Sequence, residues 1–338
     1  MKKAIKVNNL SEIGDLLLQG KRIILCGHVM PDGDCLGSVI ALGLALEKMG
    51  KEVTLAIPDP VPEVYNFLPE VKRFQEGSKA LQGEYDSFII LDCSVPDRLG
   101  PLRELLTRPI ITCSIDHHVS ANEFAHYNYI DPKAAAVGEI IQDLLNLINF
   151  PLTPDISICL YAAIVTDTGS FQYDNTRADT HRRAAKLIEY GVPAAEINRL
   201  IYEQKPLSSL RLLEAVLGTL SVSPCGRVSW MIVNLEMLKN KNAGKEHVDG
   251  LINYGRSVRG VEVALLFQEI SKDCFKVSFR SKELVDVNSL AGKFGGGGHN
   301  RAAGCIIKGD LETIKTQVIA AALQAVNETA LVCFSPDV

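Results

Sequence analysis

The chain of 338 residues has no Cys-x-x-Cys pair, no surplus of basic residues, no internal repeat and no apolar stretch of membrane-spanning length. Its nine cysteines are odd in number and scattered, which argues against a zinc knuckle or a disulfide framework. Cys26, Cys93, Cys113 and Cys159 sit inside apolar runs, where cysteine serves as a small core residue. Thiols used this way fit a reducing cytoplasm. A formal net charge of −5 argues against a protein that coats long nucleic acid, which carries a basic stripe. A small anionic substrate, held by a few arginines and metal ions, stays open. The longest apolar stretches fall short of the roughly 20 residues of a membrane span. Residues 1–15 carry lysines without an apolar signal core. The expectation is therefore no membrane partner.

What is present is the composition of a globular protein, 47% hydrophobic and 22% charged, at a length that favours two domains. A helix is expected over 10–19, closed by Gly20. Strand-like runs follow at 22–27, 53–57, 87–91 and 110–115, with a short one at 127–130. Helical spacing marks 35–49 (stopped by Gly50), 137–147, 155–165, 180–190, 194–202 and 208–220, with helical turns at 62–68. Strands alternating with helices predict an α/β fold, a doubly wound and mainly parallel sheet. After about Ser221 the texture changes. Strands at 228–235, 261–270, 274–281 and 303–307, with helices at 246–258, 287–294 and 311–327, predict a second, smaller α+β domain. The expected boundaries are 1–204 for the first domain, 205–225 for a linker containing the 208–220 helix, and 226–338 for the second. Apolar helical faces in 192–220 suit either a homodimer or the domain core.

Three of the strand-like runs release Asp or His where the apolar stretch stops. The run at 22–27 leads into His28 and then Asp32-Gly33-Asp34; that at 87–91 leads into Asp92; that at 110–115 leads into Asp116-His117-His118. In an open parallel sheet, chemistry sits beyond the carboxyl ends of the strands. Asp167, just after the 155–165 helix, can join them. The candidate set is His28, Asp32, Asp34, Asp92, His117 and Asp167, four carboxylates and two imidazoles. Such an oxygen-rich set suits Mn²⁺ or Mg²⁺ better than a cysteine-built zinc site. Four carboxylates are too much charge for one divalent ion. Two ions about 3.5–4 Å apart, bridged by a carboxylate and a water, would balance them. Asp116 can instead cap or brace its loop.

The run GGGGH at 295–299 is the second strong feature. Glycines let backbone N–H groups approach a phosphate closely. Gly296, Gly297 and Gly298 are therefore candidate substrate contacts, with His299 as a directional donor. Arg256, Arg259 and Arg280 are candidates for phosphate or base contacts, Arg280 the best placed because it lies at the end of a strand. His126, His181 and His247 have no constellation around them and read as structural.

The segments HVMPDGD, LDCSVPDRLG, SIDHH and VTDTGSF, in that order, resemble the four successive motifs of the DHH phosphoesterases. GGGGHNRAAG, preceded by VSFRSK, resembles the DHH-associated C-terminal domain. The resemblance runs from about residue 20 to 330, and the two-domain length is similar to the NrnA-type oligoribonuclease subfamily. It implies that His28 and Asp32 hold one metal, that Asp34, His117 and Asp167 hold the other, and that Asp92 bridges. Mn²⁺ is the implied ion, with Mg²⁺ the alternative. His118 would lie at the scissile phosphate as a contact or acid, with Asp116 orienting a neighbouring histidine. His299 and Arg280 would contact substrate from the second domain. Residue 30 is Met where many relatives carry Asn. The implied activity is hydrolysis of short RNA or DNA oligonucleotides, dinucleotides included, to mononucleotides. Conversion of 3′-phosphoadenosine 5′-phosphate (pAp) to AMP is implied with it. The rivals are a linear or cyclic dinucleotide phosphodiesterase, a RecJ-like single-strand exonuclease, a family II inorganic pyrophosphatase, and a non-catalytic nucleotide sensor.

Overall fold

The computed structural model describes residues 5–7, 9–248 and 250–333. The chain divides into two compact units, 1–204 and 205–338.

The first unit is organised by two buried helices on a parallel sheet. Its strands are β1 (Ile5–Lys6), β2 (Arg22–Cys26), β3 (Glu52–Ile57), β4 (Gln75–Glu76), β5 (Ser87–Leu91), β6 (Ile111–Asp116) and β7 (Tyr127–Ile130). They pair in the order β1-β7-β6-β5-β2-β3-β4, every pair parallel. Its helices are α1 (Leu10–Gln19), α2 (Gly33–Lys48), α3 (Gly77–Ala80), α4 (Val137–Leu147), α5 (Pro154–Asp167), α6 (Ala178–Glu189) and α7 (Ala194–Tyr202). β5 is buried along its whole length, as a central parallel strand requires. Alternate side chains serve two cores. Ile23, Leu25, Ile89, Leu91 and Cys113 pack with α2, α4 and α5. Ile24, Cys26, Phe88 and Ile90 pack against Leu99, Leu102 and Leu105 of the 3₁₀ segment Pro96–Thr107.

The α2 sequence has little polar face because the helix is buried nearly all round. It starts at Asp32, whose carboxylate accepts from the Cys35 N–H at 3.0 Å, and its chain turns away at Gly50 (φ +79°). α5 is equally apolar and begins with Pro154 in its first turn. The two helices cross at Gly37, where a methyl group would stand 2.3 Å from the Cys159 carbonyl oxygen. Close crossing depends on that missing side chain.

The second unit contains α8 (Leu207–Leu217), β8 (Ser221–Val222), β9 (Val228–Val233), α9 (Leu235–Asn240), α10 (Ile252–Ser257), β10 (Val263–Ser271), β11 (Cys274–Ser281), α11 (Val287–Gly292), β12 (Gly297–His299), β13 (Ala302–Lys308) and α12 (Leu311–Cys333). Its sheet runs β12-β13-β11-β10-β9-β8, with β9 and β10 parallel and the other pairs antiparallel. One face packs Leu265, Phe267, Val277 and Phe279 against Ile314, Val318 and Val326 of α12. The other packs Met231, Val233 and Leu266 against Leu212 and Val216 of α8.

Several expectations change in detail. Residues 205–225, expected as a linker, form α8 and β8 and belong to the second unit's core, because Leu212 and Val216 are one turn apart and both fully buried. The helix expected over 246–258 is a 3₁₀ turn at Lys245–Val248 followed by α10, with Gly250 (φ +81°) falling between them. The strand expected to reach residue 235 stops at Val233, because Asn234 caps α9 by accepting from the Met237 N–H. Among the described residues no helix is long and apolar enough to cross a membrane.

Candidate metal centre and active site

The register of the sheet places β2, β5 and β6 side by side, with Cys26 opposite Ile90 and Leu91 opposite Ile115. The residues that follow these strands therefore emerge together. His28 and Asp92 are buried. Asp32 caps α2 and Asp34 lies in its first turn rather than in the preceding loop. Asp167 is the last residue of α5. All six expected ligand candidates come together at this edge.

Asp92 stands at the middle. Its Oδ2 lies 3.3 Å from His28 Nε2, which is 3.8 Å from Asp32 Oδ2. Its Oδ1 lies 3.7 Å from His117 Nε2, which is 3.4 Å from Asp167 Oδ2 and 3.9 Å from Asp34 Oδ2. One carboxylate thus presents an oxygen to each of two groups, His28-Asp32-Asp92 and Asp34-His117-Asp167, and each group could hold a metal ion. Asp92 holds a left-handed backbone (φ +56°), a conformation Asp tolerates better than most residues.

The imidazoles are set for ligation. His117 Nδ1 donates to the Ala134 carbonyl at 3.1 Å, which leaves the Nε2 lone pair facing the carboxylates. His28 Nδ1 lies 2.7 Å from the Val29 carbonyl and 2.8 Å from Arg98 Nη2. A donated hydrogen bond to Val29 leaves His28 Nε2 free on the Asp92 side. Asp34 is fixed more tightly than any other member. Its carboxylate accepts from the N–H groups of Val137 (2.6 Å) and Gly138 (2.9 Å) and from Ser38 Oγ (2.9 Å). It thereby caps α4, whose own N-cap residue Ala136 has no side chain able to do so.

The electrostatics show what the chain alone cannot satisfy. Burial, then the neighbouring Asp34 and Asp32, holds the Asp92 carboxyl well above the carboxylate range. Burial pushes Asp167 up to about 8. His117 is pulled down by its burial, but Asp167, Asp92 and Asp34 together outweigh this and raise it to about 9. Asp92 Oδ1 and Asp116 Oδ2 are buried with no hydrogen-bond partner. Unpartnered buried carboxylate oxygen is costly, and divalent cations satisfy this donor set.

Asp116 and His118 adjoin this cluster: His118 Nδ1 lies 3.6 Å from Asp92 Oδ1, and Asp92, Asp116, His117 and His118 make a further group that could hold a metal ion. Asp116 Oδ1 accepts from the backbone N–H groups of His117 (2.6 Å) and His118 (3.0 Å) and lies 2.6 Å from His118 Nδ1. Despite its burial, the His118 bond and charge keep the Asp116 carboxyl below its usual range.

In the second unit the expected glycine loop is partly a strand. Gly297, Gly298 and His299 pair with Gly304, Ala303 and Ala302. The Gly296 N–H donates to the Ala291 carbonyl and the Gly298 N–H to Asn288 Oδ1. These two amides are spent on α11, which corrects the expectation that they cradle a phosphate. Gly298 (φ +153°) is required because a methyl group there would stand 2.5 Å from the Ala302 carbonyl oxygen. The side chain of His299 lies outside the described part of the structure. Arg280 is half-buried on β11 and its Nη1 donates to the Phe279 carbonyl; Arg256 is half-buried on α10.

Sequence reasoning missed Arg98 beside His28 and Asn175, whose Nδ2 donates to the carbonyls of Asp167 and Ala135. Arg98 lies within the quoted LDCSVPDRLG segment, and only its contact with His28 reveals a place for it.

A parallel α/β unit with two carboxylate-imidazole groups sharing one aspartate is the architecture of a metal-dependent phosphoesterase. Residues 22–164 match the DHH family, N-terminal domain, and residues 228–330 match the DHHA1 domain; the chain belongs to the DHH family. It is 33% identical over 312 residues to the bifunctional oligoribonuclease and PAP phosphatase NrnA of Thermus thermophilus, covering 90% of this chain and 89% of that one. Its fold is similar to that of an exopolyphosphatase-related protein from Bacteroides fragilis, with a TM-score of 0.87, 23% identity, and 94% and 95% of the two chains covered. It is also similar in fold to RecJ of Thermus thermophilus in complex with Mn²⁺, with a TM-score of 0.54, 15% identity, and 95% of this chain and 55% of RecJ covered.

Proposed function

We propose that the chain hydrolyses short oligoribonucleotides to mononucleotides and removes the 3′-phosphate from pAp, using two divalent cations. Mn²⁺ is the proposed ion and Mg²⁺ the alternative. The observation that carries this reading is the placement of Asp92, one oxygen toward His28 and Asp32 and the other toward His117. His28 and Asp32 would hold one cation, Asp34, His117 and Asp167 the other, and Asp92 would bridge. Bound there, the cations would neutralise phosphate charge and supply a nucleophile from water near neutral pH. The substrates follow the name of the Thermus relative.

The chain's own residues then have separable tasks. His117 donates Nδ1–H to Ala134 and so keeps Nε2 for ligation. Asp116 holds His118 at Nδ1, so His118 Nε2 is the atom that would meet a phosphate oxygen or protonate the leaving oxygen. Arg256, Arg280, Gly297 and His299 are proposed as the second unit's contribution to substrate binding. The free, mostly buried cysteines support a cytoplasmic place of action.

The test is turnover with Mn²⁺ of an RNA dinucleotide, a long RNA, pAp and pyrophosphate. Cleavage of the dinucleotide and pAp, with the long RNA much slower, is expected. Turnover of pyrophosphate alone, or of long RNA as fast as the dinucleotide, would overturn the reading.

A further inference from the structure

The turn that follows Asp167 is strained. Gly169 (φ +56°), Ser170 (φ +59°) and Phe171 (φ +64°) hold left-handed backbone one after another. Glycine adopts this conformation freely, but a serine and a phenylalanine do not. Strain of this kind persists where the surroundings over-determine a shape that a site uses. Here Thr168 fixes the turn. Its carbonyl accepts from the N–H groups of Gln172 (2.9 Å) and Tyr173 (3.0 Å), and its hydroxyl accepts from Phe171 N–H at 3.1 Å. The Phe171 ring stacks on His181 with centroids 4.9 Å apart.

What the turn delivers is the ring of Tyr173. That ring lies so close over Gly169 that a methyl group at 169 would stand 2.4 Å from it. Gly169 is therefore needed twice, for its backbone conformation and as the seat of the ring. Tyr173 is nonetheless 41% exposed. Asn175, two residues on, bonds the Asp167 carbonyl at 3.0 Å. An aromatic ring is thus held in a fixed pose near a proposed ligand, with part of its surface open to solvent.

A second ligand loop repeats the pattern. Met30 lies between His28 and Asp32, holds φ +52°, and is 71% exposed; its N–H is anchored to Asp59 Oδ2 at 2.8 Å. The Tyr173 hydroxyl can donate to a phosphate oxygen, but the face of its ring and the Met30 thioether cannot. Both suit the flat, polarisable face of a nucleobase.

We propose that Tyr173 is the base-stacking residue of the site and Met30 a second base contact, so that the substrate must carry a nucleobase beside its scissile phosphate. This rests on the phosphoesterase reading and adds what sets its specificity. Phosphate groups engage the cluster of carboxylates and imidazoles, and the base is recognised by the ring seated on Gly169.

The test compares pAp with its base-free counterpart, methyl riboside 3′,5′-bisphosphate, in wild type and in Tyr173→Ala, Tyr173→Leu, Tyr173→Phe and Met30→Ala. Base stacking on an aromatic side chain corresponds to about 5- to 150-fold in affinity. Tyr173→Ala and Tyr173→Leu should lose kcat/KM on pAp by a factor in that range, mainly through KM. The preference for pAp over the base-free substrate should collapse toward one. Tyr173→Phe should keep most of it, and Met30→Ala should lose less than Tyr173→Ala in the same direction. Tyr173→Leu keeps bulk on Gly169, and its melting temperature separates lost stacking from lost fold. An unchanged preference in both the Ala and Leu variants, or a fall in kcat alone, would overturn the proposal. If wild type turned over neither substrate, the phosphoesterase reading would fail, and AMP binding with Mn²⁺ by calorimetry would still decide. Tyr173-dependent binding would uphold the base contact; no binding, or binding indifferent to Tyr173, would overturn it.

Discussion

His117, raised to about 9 by the carboxylates around it, carries a proton at neutral pH in the metal-free chain. Asp167, raised to about 8 by its burial, shares proton binding with His117, since the imidazole is raised only by carboxylates that are charged. Both groups bind protons more tightly folded than unfolded, so their contribution to stability is present at low pH. For His117 it is complete below the unfolded value near 6.5 and is lost as pH rises through about 9. The chelator-treated protein should therefore melt at a lower temperature at pH 9 than at pH 6.5. Cation binding must displace these protons. Mn²⁺ should accordingly release protons in weakly buffered solution at pH 7, raise the melting temperature, and bind more tightly as pH rises from 6 to 8. Proton release in a pH-stat titration and the melting temperature at the two pH values check this. An affinity indifferent to pH would mean that the carboxylates and His117 are not the ligands.

The centre depends on how α2, α4 and α5 pack, since Asp34 lies in the first turn of one helix and caps the second, and Asp167 ends the third. The helices approach through missing side chains. A methyl group at Gly37 would meet the Cys159 carbonyl at 2.3 Å, and one at Gly138 would meet the Ala163 methyl at 2.6 Å. Gly37→Ala should cost about 1–3 kcal/mol of stability, the usual penalty for overpacking a core. It should also weaken Mn²⁺ binding, because it spreads the helices that carry Asp34 and Asp167. Denaturant unfolding and metal titration on the same variant would show both effects. Much at this scale was legible in the sequence. The β-branched runs at 22–27, 87–91 and 110–115 ended in Asp and His where the strands do end, and that alternation located the edge of the sheet. What was not legible is the work done by distant partners. No local pattern says that Asp34 caps a helix about a hundred residues away, that Arg98 meets His28, or that the amides of Gly296 and Gly298 are occupied. The glycine run read as an open loop because glycine has low strand propensity; pairing with Ala302–Gly304 overrides it. The 205–225 segment read as a linker because a single amphipathic helix does not name the sheet it covers.

Each unit closes its own hydrophobic cores, the first around α2 and α5 and the second around β10, β11 and α12. A fragment of residues 1–204 should therefore fold cooperatively and bind Mn²⁺, while losing most of its kcat/KM on dinucleotides and pAp. Circular dichroism, metal titration and turnover of the fragment test this, and a fragment as active as the whole chain would remove the second unit from substrate binding. The central claim for the whole molecule is a two-cation centre that shares Asp92. The most direct measurement is Mn²⁺ stoichiometry and pAp turnover, side by side, for wild type and Asp92→Asn. Two ions per chain in wild type, at most one in the variant, and a loss of nearly all turnover in the variant are the predicted results. A variant that keeps two ions and wild-type turnover would contradict the account.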